Sequence, residues 1–161
     1  MKNLLLTLIL LISFTQPSFS AGSSGDSGSS KTDYEKAVKL VKQAKKYEQK
    51  GKVDKAQTRY EKAQKLLIKS NKKIPNKADT LNYLGFTTRK LGDFENGEKY
   101  YLQGLAIEPN HIGINEYLGE LYVSTNRIKL AKDRLKVLEN CACEEYKELK
   151  EIIEGTKKSK Y

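Results

Sequence analysis

The chain has 161 residues and a formal net charge of +10, from 30 Lys and Arg residues against 20 Asp and Glu. It contains no tryptophan and one methionine, and 38% of its residues are hydrophobic. A single compact core of this composition would contain few apolar side chains. A row of small helical units needs fewer buried apolar side chains, because each unit packs only on its neighbours. The composition therefore argues against one large globular core and favours a repeat architecture.

The first twenty residues have the layout of a secretory signal peptide. Lys2 precedes an apolar run over residues 4–14, and the small residues at positions 18 and 20 suit a signal peptidase. Because the run is too short to span a membrane, we expect cleavage after Ser20 and a periplasmic or secreted protein with no integral membrane span after processing. An uncleaved N-terminal anchor is the alternative. Residues 21–32 are rich in glycine and serine and are predicted to form a flexible linker.

The positive charge is concentrated in one part of the chain. Residues 31–77 hold 16 Lys and Arg against five Asp and Glu, whereas residues 78–161 are close to neutral. A basic block of this kind binds nucleic acid, anionic lipid or an acidic protein, or it is simply a solvated helix face. Export and the preference for lysine over arginine argue against nucleic acid. The other interpretations remain open.

A first pair of helices is predicted between residue 33 and about residue 70. Thr32 and Glu35 have the spacing of a capping box at the start of the first helix. Gly51 marks the turn after it. The second helix is expected to continue to about Ser70, because the chain before Pro75 is about two helical turns longer than the corresponding stretch of the next unit.

The second pair has the clearest pattern. In residues 78–90, Leu84 and Gly85 lie on the apolar face of a helix, and Asn76 is expected to cap its start. Gly92-Asp93 is predicted to form the turn to a second helix, with Asp93 as its cap. Pro109 ends that helix.

The third pair repeats this pattern over residues 110–138. Asn110 is the expected cap, His111 is expected at the surface, and Asn126 stands in the turn, where asparagine tolerates a left-handed conformation. Residues 144–154 follow as a single amphipathic helix, which is predicted to cover the end of the array.

Two sequence features recur with a period of 34 residues. Leu84-Gly85 returns as Leu118-Gly119, and Pro75 returns as Pro109. This period, with helical patterning inside each unit, resembles the tetratricopeptide repeat family. The resemblance covers about residues 33–154. It implies an all-α fold, a right-handed α-solenoid of about three helix pairs with a C-terminal capping helix over residues 33–155, before a lysine-rich tail at residues 156–161. It also implies that a protein or peptide partner binds in a concave groove lined by the first helix of each pair.

Helical spacing predicts which side chains face that groove. If Leu84 and Gly85 pack inward, a second face of the same helix carries Phe86 and its neighbours one turn away. With the equivalent positions of the other units, the predicted groove residues are Val41, Lys45, Asn82, Phe86, Arg89, Glu116 and Glu120. Phe86 is expected to be an exposed anchor for the partner. The two glutamates argue against a clamp for a C-terminal carboxylate.

Cys141 and Cys143 lie between the third unit and the terminal helix. In an exported protein such a pair is expected to form a disulfide. Free or intermolecular thiols are one alternative, and redox exchange or binding of a soft metal such as Cu(I) is another.

The sequence contains no Gly-rich phosphate loop, metal-ligand cluster or Ser–His–Asp set, so neither an enzyme nor a bound metal or cofactor is expected. The leading hypothesis is a protein–protein interaction scaffold or adaptor in the cell envelope. One alternative is a thiol-redox or metal-handling protein that uses Cys141 and Cys143. Another is a peripheral binder of anionic envelope surfaces through the basic first unit.

Overall fold

Seven α-helices make up the part of the chain that the computed structural model describes, residues 32–159, and that part contains no β-strand. The predicted signal peptide, nearly all of the linker and the last two residues of the tail lie outside the described residues. The helices are α1 (Asp33–Gln49), α2 (Val53–Lys73), α3 (Ala78–Lys90), α4 (Phe94–Ile107), α5 (Ile112–Ser124), α6 (Ile128–Val137) and α7 (Glu144–Ile153). Within residues 32–159, no helix is long and apolar enough to cross a membrane.

The helices pack in pairs along the chain. The main contacts within pairs are α1 with α2, α3 with α4, and α5 with α6, while α2 contacts α3 and α4 contacts α5 between pairs. The last helix, α7, packs on α5 and α6. This arrangement confirms the predicted all-α repeat fold with a terminal helix at its C-terminal end.

The same turn joins the two helices of each pair. The second residue after the end of the first helix has a positive φ in all three pairs, namely Gly51 (67°), Gly92 (94°) and Asn126 (57°). In the third turn, the backbone amide of Arg127 then donates to the carbonyl oxygen of Tyr122 at 2.7 Å, which reverses the chain direction. The left-handed conformation predicted at Gly92 and Asn126 is confirmed.

Two of the predicted helix caps are present. At the start of α1, Thr32 and Glu35 form the capping box, since each side chain accepts a hydrogen bond from the other residue's backbone amide. At the start of α4, the Asp93 carboxylate accepts from the backbone amide of Asn96 at 3.0 Å.

The other two cap predictions were wrong by one residue. Asn76 has φ of 59° and belongs to the turn before α3, whose N-terminal cap is Lys77. Asparagine tolerates this left-handed conformation, so here it reverses the chain instead of capping the helix. The cap of α5 is His111, not Asn110.

His111 is a largely buried residue and not the surface residue that was predicted. Its Nδ1 accepts from the backbone amide of Ile114 at 3.2 Å, and its Nε2 lies 3.2 Å from a carboxylate oxygen of Asp79. Only 13% of its side chain is exposed. The residue therefore links the start of α5 to the start of α3.

Helix α2 continues to Lys73, a little beyond the predicted end near Ser70. The C-terminal end of α2 places Lys69 and Lys73 at 3.4 and 2.9 Å from the Asp33 carboxylate in the first turn of α1. These ion pairs lower the pKa of Asp33, through its hydrogen bond with Lys73 first. The end of α2 is thereby held against the start of α1.

Gly85 and Gly119 lie where neighbouring elements approach closely. A Cβ atom at Gly85 would lie 2.5 Å from the ring of Tyr101 in α4, and one at Gly119 would lie 2.5 Å from the side chain of Leu149 in α7. Real Cβ atoms do not come this close to another heavy atom. The recurring Leu-Gly pair thus places a glycine at two sites of close packing, as the repeat pattern predicts.

Candidate functional site

The first helices of the three pairs bring most of the predicted groove residues together. Lys45 of α1 donates a hydrogen bond to the hydroxyl of Tyr117 in α5, 72 residues later, at 3.1 Å. Arg89 of α3 donates to the backbone carbonyl of Tyr117 at 2.8 Å. We call the face of α1, α3 and α5 around the partly exposed Lys45 and Tyr117, beneath which Phe86, Arg89 and Glu120 are buried, the inner surface.

Phe86 is buried, so the prediction that it is an exposed anchor was wrong. Its ring is 1% exposed and lies between two tyrosine rings, 5.8 Å from that of Tyr60 and 5.1 Å from that of Tyr117. The ammonium group of Lys45 lies 4.5 Å from the centre of the Phe86 ring, a cation–π contact. Because α3 packs between α2 and α5, a side chain on this face of α3 contacts the neighbouring helices and is shielded from solvent.

Two more of the predicted groove residues are also buried. Val41 is 2% exposed and belongs to the hydrophobic core of the first two pairs. Asn82 is 7% exposed, and its amide packs so closely on Gly113 of α5 that a Cβ atom there would lie 2.9 Å from its nitrogen. Both therefore contribute to packing between units.

An ion pair crosses from α3 to α5 in the interior. Nη2 of Arg89 lies 3.3 Å from a carboxylate oxygen of Glu120, and neither side chain is exposed. Burial strengthens the attraction between such charges but also requires that both remain paired. This pair fixes the spacing of the second and third units at the inner surface.

Three carboxylates gather at the C-terminal end of the inner surface. Carboxylate oxygens of Glu116, Glu120 and Glu148 all lie within 4.8 Å of one another, and we call this group the acidic corner. Glu116 and Glu120 are buried. Among the described residues, Arg89 contacts Glu120 and Lys157 contacts Glu148, the latter at 2.9 Å. These cations offset part of the negative charge of the corner.

The Tyr117 hydroxyl faces a protein environment that keeps it protonated. Burial raises its pKa above the ordinary value, and the nearby Glu116 carboxylate raises the pKa further. A neutral hydroxyl accepts the hydrogen bond from Lys45 without a change of charge. The link between α1 and α5 is therefore expected to persist across the physiological pH range.

Sequence reasoning missed Tyr117 and Glu148. Tyr117 stands 34 residues after Tyr83, so the same period that revealed the Leu-Gly pairs could have identified it. Glu148 had no such signal, because it lies in the terminal helix outside the repeat pattern. Only the packing of α7 on α5 brings it to Glu116 and Glu120.

The sulfur atoms of Cys141 and Cys143 lie at disulfide-bonding distance in the loop between α6 and α7. Cys143 is also the N-terminal cap residue of α7. The pair therefore stands at the point where the chain turns into the terminal helix.

Comparisons with known proteins agree with this architecture. Residues 78–111, which include α3 and α4, match the tetratricopeptide repeat family model. Residues 78–111 are thus similar to a tetratricopeptide repeat, and the described part of the chain has a helical repeat fold, as the sequence pattern predicts. No curated protein matches the chain.

A similar solved structure is described as the first TPR of Spaghetti (RPAP3) bound to HSP90 peptide SRMEEVD. The two chains are 20% identical, and the match covers 78% of this chain and 96% of that chain with a TM-score of 0.54. At this identity the similarity concerns the fold alone.

Proposed function

We propose that the chain is a non-enzymatic scaffold or adaptor of the cell envelope whose inner surface binds a peptide or an extended segment of a partner protein. The observation that carries this proposal is the continuity of the inner surface, where α1, α3 and α5 are joined through Lys45, Arg89 and Tyr117. A peptide bound to a protein of the same fold supports it.

The charge of the inner surface indicates which segments it would favour. Lys45 supplies a cation on the first unit, while Glu116 and Glu120 supply carboxylates on the third. The HSP90 peptide SRMEEVD contains two glutamates and an aspartate, which the acidic corner would repel. We therefore expect a partner segment that is neutral or basic where it reaches the third unit.

Capture of a partner from an envelope extract tests the proposal. Immobilised wild-type chain is compared with Lys45→Glu on the inner surface and with Lys55→Glu, a matched charge reversal at an exposed position of α2. We expect Lys45→Glu to lose the captured partner and Lys55→Glu to retain it, with circular dichroism showing that both variants fold. Loss in Lys55→Glu alone would overturn the proposal and favour adsorption through the basic outer face.

Alanine substitutions at Phe86 and Arg89 are unsuitable for this test. Both side chains are buried between units. Truncation of a buried phenylalanine typically costs about 3–5 kcal/mol of stability. A loss of binding in these variants would therefore report unfolding as much as lost contact.

We further propose that the chain is exported and cleaved after Ser20. The short apolar run and the small residues that follow it support this assignment. Intact-mass measurement of the protein recovered from its native compartment is expected to give a chain that begins at Ala21. A mass that includes Met1 would contradict the proposal.

A further inference from the structure

The chain does not leave the array directly after α7. Gly155 has φ of 74°, and the backbone amides of Thr156 and Lys157 both donate to the carbonyl oxygen of Glu151, at 3.0 and 3.2 Å. The Thr156 hydroxyl donates to the same carbonyl at 3.1 Å. These bonds turn the chain back against the last turn of α7.

The residues after this turn reach the acidic corner. Nζ of Lys157 lies 2.9 Å from the Glu148 carboxylate and 3.7 Å from that of Glu151. Two residues later, the Ser159 hydroxyl donates to a carboxylate oxygen of Glu120 at 3.5 Å. Glu120 belongs to the third unit, 39 residues earlier in the chain, and is completely buried. The tail thus connects α7 to one of the predicted groove residues.

The charges of the tail and of the corner are complementary. The tail, defined here as residues 156–161, has the sequence T-K-K-S-K-Y, with three lysines and no acidic residue. The corner has three carboxylates. The hydrogen bond between Lys157 and Glu148 raises the pKa of the Lys157 ammonium, which agrees with a favourable ionic contact.

We propose that the acidic corner is a binding site for a lysine-bearing extended segment and that residues 157–159 of the chain's own tail occupy it as an internal competitor. A partner that uses this end of the inner surface must then displace the tail. The tether keeps the tail near the corner at an effective concentration of about millimolar, so even a weak contact is substantially populated. The contact is intramolecular and does not depend on the proposed partner-binding function.

The first experiment measures tail mobility in the chain alone. Heteronuclear ¹⁵N NOE values of the amides of residues 157–159 are compared in wild type, in Glu148→Gln and in Glu139→Gln, which removes a matched carboxylate from an exposed position after α6. We expect ordered tail amides in wild type and Glu139→Gln, and clearly lower NOE values in Glu148→Gln. A tail that is mobile in wild type, or unchanged in Glu148→Gln, would overturn the proposal.

The second experiment measures competition. A fluorescein-labelled peptide with the sequence of residues 156–161 is titrated with wild-type chain and with a full-length variant that carries Lys157→Ser, Lys158→Ser and Lys160→Ser. If the tail occupies the corner most of the time, emptying the corner should tighten peptide binding by about tenfold. A peptide with glutamate in place of each lysine should bind neither protein.

Equal binding of the labelled peptide to both proteins, or no binding to either, would contradict the internal competitor. Thermal unfolding of the serine variant verifies that the array is intact. Because no partner is present in either experiment, their failure leaves the proposed partner-binding role standing. Failure of the partner capture would likewise leave the tail contact standing.

Discussion

At the scale of single residues, the size of a side chain at a few positions decides how closely the helices approach. Gly85 faces the ring of Tyr101, and Gly119 faces Leu149, so each large side chain occupies the space that a Cβ would fill. Glycine in a helix interior costs about 0.5–1 kcal/mol relative to alanine. The close contact with Tyr101 or Leu149 offsets this cost.

We expect Gly85→Leu to destabilise the protein by about 1–3 kcal/mol or more, because the new side chain would collide with Tyr101 and force α3 and α4 apart. Urea unfolding measures the change. Gln103→Leu introduces the same side chain at an exposed position of α4 and should change stability little. If both variants unfold at the same urea concentration as wild type, the close packing of α3 on α4 is wrong.

The Asp93 cap gives a pH-dependent prediction. Hydrogen bonds from the side chain and then the backbone amide of Asn96 lower the pKa of the Asp93 carboxyl. Because the pKa is lowered in the folded state, the ionised Asp93 cap contributes its full stabilisation above the unfolded pKa of about 3.9. This stabilisation is lost as the pH falls through the pKa of the folded state. Asp93→Ala should therefore cost about 1 kcal/mol at neutral pH and much less in acid.

Urea unfolding of wild type and Asp93→Ala at pH 7 and near pH 2 checks this prediction. Asp133→Ala removes an exposed carboxylate of α6 and serves as the control. A difference between wild type and Asp93→Ala that persists undiminished in acid would show that the ionised cap is not its origin.

At the scale of elements, the connection between α6 and α7 sets how the terminal helix begins. In an oxidising compartment, the closely spaced Cys141 and Cys143 in this connection are expected to form a structural disulfide. A covalent link at the N-terminal cap of α7 would fix the direction in which this helix starts.

We therefore expect the protein purified from an oxidising compartment to carry one intramolecular disulfide. Alkylation under denaturing, non-reducing conditions followed by mass spectrometry should show no modified thiol, and prior reduction should allow two. Two alkylated thiols without reduction would contradict the prediction, and a stoichiometric bound metal would favour the metal-handling alternative.

At the scale of the whole described array, contacts run mainly between neighbours along the chain. One hydrophobic cluster joins the first two pairs, and a second joins α4, α5 and α6. Stability in such an array is approximately a sum of units and their interfaces. A destabilising substitution at one end of the array should therefore lower the local stability of that end more than that of the other.

Leu149→Ala and Leu67→Ala test this locality, because both leucines are completely buried but lie in α7 and α2 respectively. Each truncation should cost about 2–5 kcal/mol. In hydrogen exchange, Leu149→Ala should lower protection mainly in α5 and α7, and Leu67→Ala mainly in α1 and α2. Equal loss of protection along the whole array in both variants would show a single cooperative unit instead.

The helix pairs, their turns and two sites of close packing could be predicted from the amino-acid sequence. Local signals suffice for these features, since Gly92 and Asn126 adopt left-handed conformations and Gly85 and Gly119 recur with the repeat period. The N-terminal caps of α3 and α5 were predicted one residue early, at Asn76 and Asn110. Several neighbouring residues can each begin a helix, so the local sequence does not fix the cap to one residue.

Which of the predicted groove residues are buried and which are exposed depends on how the helices pack in the tertiary structure. Helical spacing assigned Phe86 and Arg89 to one face of α3, but it carried no information about how near α2 and α5 would come, and both residues are buried by that approach. The acidic corner likewise requires α7 to bring Glu148 to α5. Such contacts join residues far apart in sequence, and their distances are set by how whole helices pack, which no local pattern encodes.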